Sequence, residues 1–583
     1  MLFDSPKAIL PHSRIVPGWR RATSRFLSTT SAAFLCLLAF QAALAQGPVI
    51  TALGPDRQLS FTPTQVWDNY SLQGSTNLQG PWQLCPPFVD QPVTDAVMTV
   101  QVPNLGTALQ FFRIAENITN SWTFPPYTNV PEGFSGQTYL TNPVLTIRPD
   151  WDPGVARNIT NGYLVFREGP YHPPQITDAQ INTTMTRING DLRYIIETLG
   201  LRNHPSTQSP NFKFINYYLL GSGLPGDSTP TNSTPETGYQ GWRYYSGVWW
   251  PVVEMTYQDF LPPDDYHRWA VTHEFIHVLQ AGYGVFGDSV AGWFNEAHND
   301  YVIARLREGV AARKEVGWLD PYGLLGSYLP IECYAMLADG SASGPEGTYG
   351  NVNGNFGGYS YCSLFPLFLS QRTKMFFNNA LWEQATPTES VLQTLTRVLG
   401  AGQARQVLIE YGARNAILDY LDYAPSLTTN MRQQWSNGSG NWFYTATTNQ
   451  GGWLTPADPM RLPRHTGRNN IPITLTPGAS RILIEFVPDA TGSKGSASDL
   501  RAQIAFRDSG GQAIFSRPVA GGTCALNLTS RPSNGVVILV ITNVKLNGYV
   551  SPAAYGWDPS ETFGYKVRII EGGTPAPTSS QYF

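Results

Sequence analysis

Between Asp178 and Leu199 apolar side chains return every three or four positions, at Ile181, Met185, Ile188, Leu192, Ile195, Ile196 and Leu199. That period gathers them on one stripe and predicts an amphipathic helix opened by Asp178. Helical texture returns over Asp264–Gln280, over Trp293–Glu308 and in several segments between Leu364 and Tyr423. Gly162–Arg167 and Phe212–Leu220 add strands to the same region. The flanks follow a different rhythm. On the N-terminal side, Gln58–Thr62, Tyr70–Gln73, Ala96–Val102 and Leu109–Ile114 are short strands split by turns such as Asn77-Leu78-Gln79-Gly80-Pro81. On the C-terminal side, Arg481–Val487, Ala502–Arg507, Ala513–Arg517, Ala525–Leu528, Val536–Thr542 and Tyr565–Ile570 alternate or run continuously apolar. Asp508-Ser509-Gly510-Gly511 is a hairpin-like turn among them. The expected fold class is α+β and multidomain: a small β-sandwich-like module over residues 46–118, a mixed α/β domain over 119–455 and a β-sandwich over 456–572. Residues 573–583 are polar and are expected to be disordered.

The first 45 residues obey neither pattern. Arg14, Arg20, Arg21 and Arg25 precede the apolar run Ala32–Ala43, and Ala43-Leu44-Ala45 supplies a small-residue cleavage site. The run is too short to span a bilayer. Residues 1–45 therefore predict a signal peptide, a mature chain beginning near Gln46, and secretion to the periplasm or the medium without membrane insertion. Composition narrows the classes further. With 42% hydrophobic and 14% charged residues the chain has material for packed cores and too little charge for disorder. A net charge of −4 and no Lys/Arg-rich run exclude a nucleic-acid binder. Five cysteines in 583 residues are no disulfide scaffold; after export Cys333 and Cys362 are the one pair close in sequence and the candidate bridge.

The chemistry concentrates in Val271-Thr272-His273-Glu274-Phe275-Ile276-His277-Val278-Leu279-Gln280. His-Glu-x-x-His on a helix sets two imidazoles four residues apart, about 40° around the axis, so both face one way. Pro262-Pro263-Asp264 ahead of it supplies a helix breaker and an N-cap, and Phe275, Ile276 and Leu279 on other faces predict a buried helix. Two imidazoles leave a catalytic zinc one protein ligand short. Beyond the loop Gly282–Gly292, a second expected helix carries Glu296 and Asp300 at i, i+4. The metzincin pattern fails, because residues 278–283 contain no third histidine. His298 lies two residues from Glu296, about 200° round the helix, and reads as a core or surface residue rather than a ligand.

His273-Glu-x-x-His277 followed by Asn295-Glu296-x-x-x-Asp300 resembles the gluzincin, thermolysin-like branch of zinc metallopeptidases. With its flanking Gly-Tyr and Leu-x-Tyr segments, the region also resembles an uncharacterised family of secreted bacterial zincin-like proteins over about 300 residues. The resemblance implies that 119–455 is a zincin-like catalytic domain holding one Zn2+ per chain. Its ligands would be His273, His277 and Glu296, with Asp300 orienting His273. It implies a zinc-bound water, Glu274 as general base, and hydrolysis of a peptide or protein substrate. The thermolysin-type histidine donor is missing, since no histidine lies between His298 and His465. Tyrosines are the candidates for the oxyanion, Tyr359 first, with Tyr328, Tyr334, Tyr349 and Tyr361 near it in sequence. An extended substrate needs an edge strand, and Val248–Met255, containing Pro251, is the candidate. Separately, the run from Tyr70 to Trp82, closed by Phe111-Phe112-Arg113, resembles small β-sandwich modules of secreted bacterial proteins. The competing function is a zinc-binding pseudoenzyme or adhesion protein whose β-modules do the work. Glu274 counts against it, because a purely structural metal site needs no base.

Overall fold

The computed structural model describes residues 48–54, 56–63, 69–75, 83–85, 91–92, 97–103, 111–116, 121–133, 154–162, 164–201, 215–224, 239–245, 248–261, 265–286, 288–311, 324, 326–332, 362–436, 443–489, 499–546 and 562–583. The expected signal segment, the cap at Pro262-Pro263-Asp264 and Cys333 with its candidate bridge lie outside them. The chain is mixed α+β with several antiparallel sheets, and divides into two compact units, Met1–Asn117 and Ile118–Phe583.

The first unit holds β1 (Val49–Leu53), β2 (Gln58–Thr62), β3 (Asn69–Ser75), β4 (Gln83–Leu84), β5 (Gln91–Pro92), β6 (Met98–Gln101) and β7 (Phe111–Glu116). One antiparallel sheet runs β1-β2-β6; in the other, β3 pairs with β4, β5 and β7. Alternate residues of these strands turn inward: Leu59 and Phe61, Tyr70 and Leu72, Val100 and Ile114 share one core. Phe61 and Tyr70 meet edge to face at 5.7 Å.

The second unit opens with β8 (Arg157–Asn161), β9 (Leu164–Glu168), helix α1 (Asp178–Glu197), β10 (Ile215–Leu219), β11 (Tyr239–Tyr245) and β12 (Val248–Met255). The sheet order is β11-β12-β10-β9-β8, with β9, β10 and β12 parallel and antiparallel partners at both edges. Every residue of β9 and β10 is buried, as expected where both faces are covered. Two expectations are corrected here. Val248–Met255 is interior and β11 is the edge; Pro251 is tolerated because β10 pairs with β12 only from Val252 onward. The cap of α1 is Thr177, not Asp178: its hydroxyl accepts the Gln180 N–H while the Gln180 side chain accepts the Thr177 N–H.

Helices α2 (Asp265–Ala281), α3 (Asp288–Ala311), α4 (Leu364–Arg372), α5 (Phe377–Gln384), α6 (Val391–Leu399), α7 (Ala401–Ala416) and α8 (Ala424–Ser436) build one core with that sheet. The chain ends in β13 (Thr447–Gln450), β14 (Trp453–Pro456), β15 (Arg468–Leu475), β16 (Arg481–Pro488), β17 (Leu500–Arg507), β18 (Ala513–Phe515), β19 (Gly522–Asn527), β20 (Val536–Asn543), β21 (Tyr565–Glu571) and β22 (Gly573–Pro575). Two five-stranded sheets result, β13-β14-β21-β16-β19 and β18-β17-β20-β15-β22. Ile482, Ile484 and Phe486 of the first meet Ile504, Leu539 and Ile541 of the second in a shared core. The other face of β20, with Ile538 and Val540, packs into the helical core instead, which is why its apolar run does not alternate. Gly412 of α7 permits that approach, since a Cβ there would lie 2.6 Å from Thr542 Oγ1.

Residues 573–583, expected to be disordered, hold fixed places. β22 pairs with β15, Phe583 packs 5.6 Å from the Phe443 ring and 6.1 Å from that of Trp435, and Tyr582 lies 5.5 Å from Tyr444. The terminal aromatic pair outweighs the polarity of the residues before it. No helix among the described residues is long and apolar enough to cross a membrane.

Candidate metal centre

Helix α2 is set against its neighbours by a few buried polar ties. The Asp191 carboxylate on α1 accepts both guanidinium nitrogens of Arg268, at 2.6 and 2.9 Å, and the Thr272 hydroxyl at 2.9 Å. Around them Trp269, Val271, Phe275, Ile276, Val278 and Leu279 are all buried, so α2 is apolar on most of its surface. Helix α3 is locally broken at Ala291 (φ −146°, ψ 17°), ahead of buried Trp293, Phe294 and Ala297. It is tied to α2 by Asn299, whose amide donates to the His273 carbonyl at 2.9 Å.

This packing brings three sequence-predicted ligands together. His273 Nε2 lies 2.9 Å and His277 Nε2 3.4 Å from Glu296 Oε2, and one donor atom from each residue falls within 4.8 Å of the others. Ligands about 2.05 Å from a tetrahedral zinc stand roughly 3.3 Å apart, so this spacing suits a small divalent ion. The rings of His273 and His277 are 4.9 Å apart and inclined at 82°. Asp300 Oδ1 lies 3.5 Å from His273 Nδ1. Two nitrogens and a carboxylate oxygen are a donor set that zinc accepts, and both imidazoles turn the same ring nitrogen toward Glu296.

Glu274 stands apart from the triad. Its Oε2 accepts the backbone N–H of Gln240 at 2.7 Å, which ties it to the edge strand β11. Sequence spacing could not reveal that contact, since it depends on strand order. His277 has a local partner, three residues on in the same helix, that the sequence reading does not assign: His277 Nδ1 lies 2.9 Å from Gln280 Oε1. His298 is fully buried beside Gln280 and Asn379, in a core role and not among the ligand atoms. Tyr328 is buried, with its carbonyl accepting the Arg464 N–H at 2.9 Å. Tyr359, Tyr334, Tyr349 and Tyr361 lie outside the described residues.

The charges of the centre are coupled. Burial opposes a charge on His273, but the Asp300 and Glu296 carboxylates outweigh it and hold the imidazole well above its ordinary value. His277 is raised too, against burial, chiefly by Glu296. Glu296, although buried, is kept well below the usual carboxylate range by His277 and His273. Burial pushes Asp300 up to about 6 against the pull of His273, and pushes His298 down to about 3. A metal ion bound at His273 must displace a proton held above the ordinary histidine value, so affinity should climb with pH until that value is passed. Zinc affinity measured by chelator competition is expected to rise with pH through the ordinary histidine range and beyond it. A flat profile would show that no proton is displaced. No protein-family model matches the chain, and no curated protein matches it.

Proposed function

We propose that the chain is an exported zinc-dependent endopeptidase, with a zincin-like catalytic domain and a C-terminal β-sandwich. One observation carries this reading. His273, His277 and Glu296 converge within 4.8 Å, while Glu274, inside the same motif, is held by an edge strand rather than by the triad. Zinc, when bound, supplies a Lewis acid that polarises a peptide carbonyl and acidifies water. The residues around it have distinct tasks. His273 and His277 offer Nε2 lone pairs, and Glu296 offers a carboxylate oxygen. The Gln240 N–H occupies Glu274 Oε2, which leaves Oε1 to take a proton from the attacking water and pass it to the leaving nitrogen. An extended peptide adding to the edge of β11 would run beside Glu274, with exposed Tyr239 and Trp242 available to its side chains. Tyr359 is the proposed hydroxyl donor to the oxyanion.

Two experiments follow. Purified chain with full zinc occupancy should cleave an unfolded protein, and a chelator should abolish the cleavage; zinc-loaded chain without cleavage would favour the binding-protein reading. Mature protein from the exporting cell should begin near Gln46, following Ala43-Leu44-Ala45. An intact Met1 on soluble exported protein would remove the signal-peptide reading.

A further inference from the structure

A chain of hydrogen bonds runs from His277 to helix α5, and its direction is fixed at two places by backbone carbonyls. The Gln280 amide nitrogen donates to the Asn295 carbonyl at 3.0 Å. A carbonyl can only accept, so this contact fixes which end of the Gln280 amide is nitrogen. The amide oxygen is therefore the atom 2.9 Å from His277 Nδ1, and that ring nitrogen must carry the proton. The same nitrogen of Gln280 lies 3.2 Å from His298 Nδ1, which accepts. His298 Nε2 then donates to Asn379 Oδ1 at 3.2 Å, and the Asn379 amide nitrogen donates to the Leu199 carbonyl. His298, Gln280 and Asn379 are each at least nine-tenths buried, so water has little access to scramble these roles.

We infer that Gln280, backed by His298 and Asn379, is a positioning residue that locks His277 in the Nδ1–H form and so reserves its Nε2 lone pair for a metal ion. The inference rests on the metal reading given above and assigns a role to residues that sequence spacing leaves unexplained. Histidine ligands need such a partner, because rotation or the wrong tautomer would present an N–H to the cation. Asp300 serves His273 in this way, and Gln280 serves His277. The Gln280–Asn295 bond also pins α3 to α2 next to Glu296, so one amide sets a histidine ligand and supports the helix that carries the carboxylate ligand.

The test uses the full mature chain labelled with 15N-histidine, together with zinc affinity measured by chelator competition. Gln280→Leu keeps the bulk but removes the acceptor, and should weaken zinc binding by about ten- to a hundredfold. Gln280→Glu restores an acceptor for His277 Nδ1–H but cannot donate to the Asn295 carbonyl, so it should recover part of that loss and bind zinc more tightly than Gln280→Leu. In the zinc-loaded wild type, the nitrogen spectrum should show His277 metallated at Nε2 and protonated at Nδ1. Metallation of His277 at Nδ1 overturns the inference whether or not the leucine variant folds. So does a folded Gln280→Leu chain that binds zinc within about twofold of wild type, on the same scale of second-partner losses. A wild-type chain that binds no zinc removes the metal reading itself, and this inference with it.

Discussion

Glu296→Gln should leave the chain almost without zinc. The carboxylate supplies the one anionic donor of the triad, and its Oε2 sits against both imidazole Nε2 atoms, at 2.9 and 3.4 Å. Glutamine keeps the shape but offers a neutral and far weaker ligand atom. It also removes the negative charge against which both imidazole Nε2 atoms sit. After dialysis against a zinc buffer that saturates the wild type, metal analysis should find about one zinc per wild-type chain and less than about a tenth of that in the variant. Asp300→Ala, which strips the partner from His273 Nδ1 and spares every ligand, should lose only about ten- to a hundredfold in affinity. That ordering is the informative part. Full zinc content in Glu296→Gln would mean the third ligand lies elsewhere.

What could be read from the sequence was whatever depends on short spacing. The stripe Ile181, Met185, Ile188, Leu192 folds as α1, and His273 and His277 share a face of α2 because four residues make little more than one turn. Continuous apolar runs such as Val536–Thr542 became strands covered on both faces. Features that depend on tertiary neighbours were not legible. β15 escapes sequence reading because Arg468-Asn469-Asn470 and Pro472 look like a loop. In the fold they are buried, with Asn470 donating to the Phe443 carbonyl at 3.1 Å and Asn469 accepting from the Tyr565 hydroxyl at 2.8 Å. The edge strand is displaced by one hairpin because Pro251 reads as an edge marker, whereas the proline lies one residue before the stretch that pairs with β10. At the candidate centre, the convergence of His273, His277 and Glu296, with Asp300 beside His273, follows from spacing and resemblance. The ties of Glu274 to Gln240 and of His298 to Asn379 join elements distant in sequence, and no local pattern records them, whereas the His277–Gln280 contact spans three residues of one helix.

The most direct measurement compares zinc-saturated wild type with Glu274→Gln on an unfolded protein substrate. Glutamine can still accept the Gln240 N–H through its carbonyl oxygen, so the side chain should stay in place, and no ligand atom is lost. What disappears is a basic oxygen able to take a proton. The expected result is a folded variant with about one zinc per chain whose cleavage rate falls by about 10²–10⁴, the usual cost of removing a general base. Equal cleavage by the variant at full zinc occupancy, or no cleavage of any peptide by the zinc-saturated wild type, would contradict it.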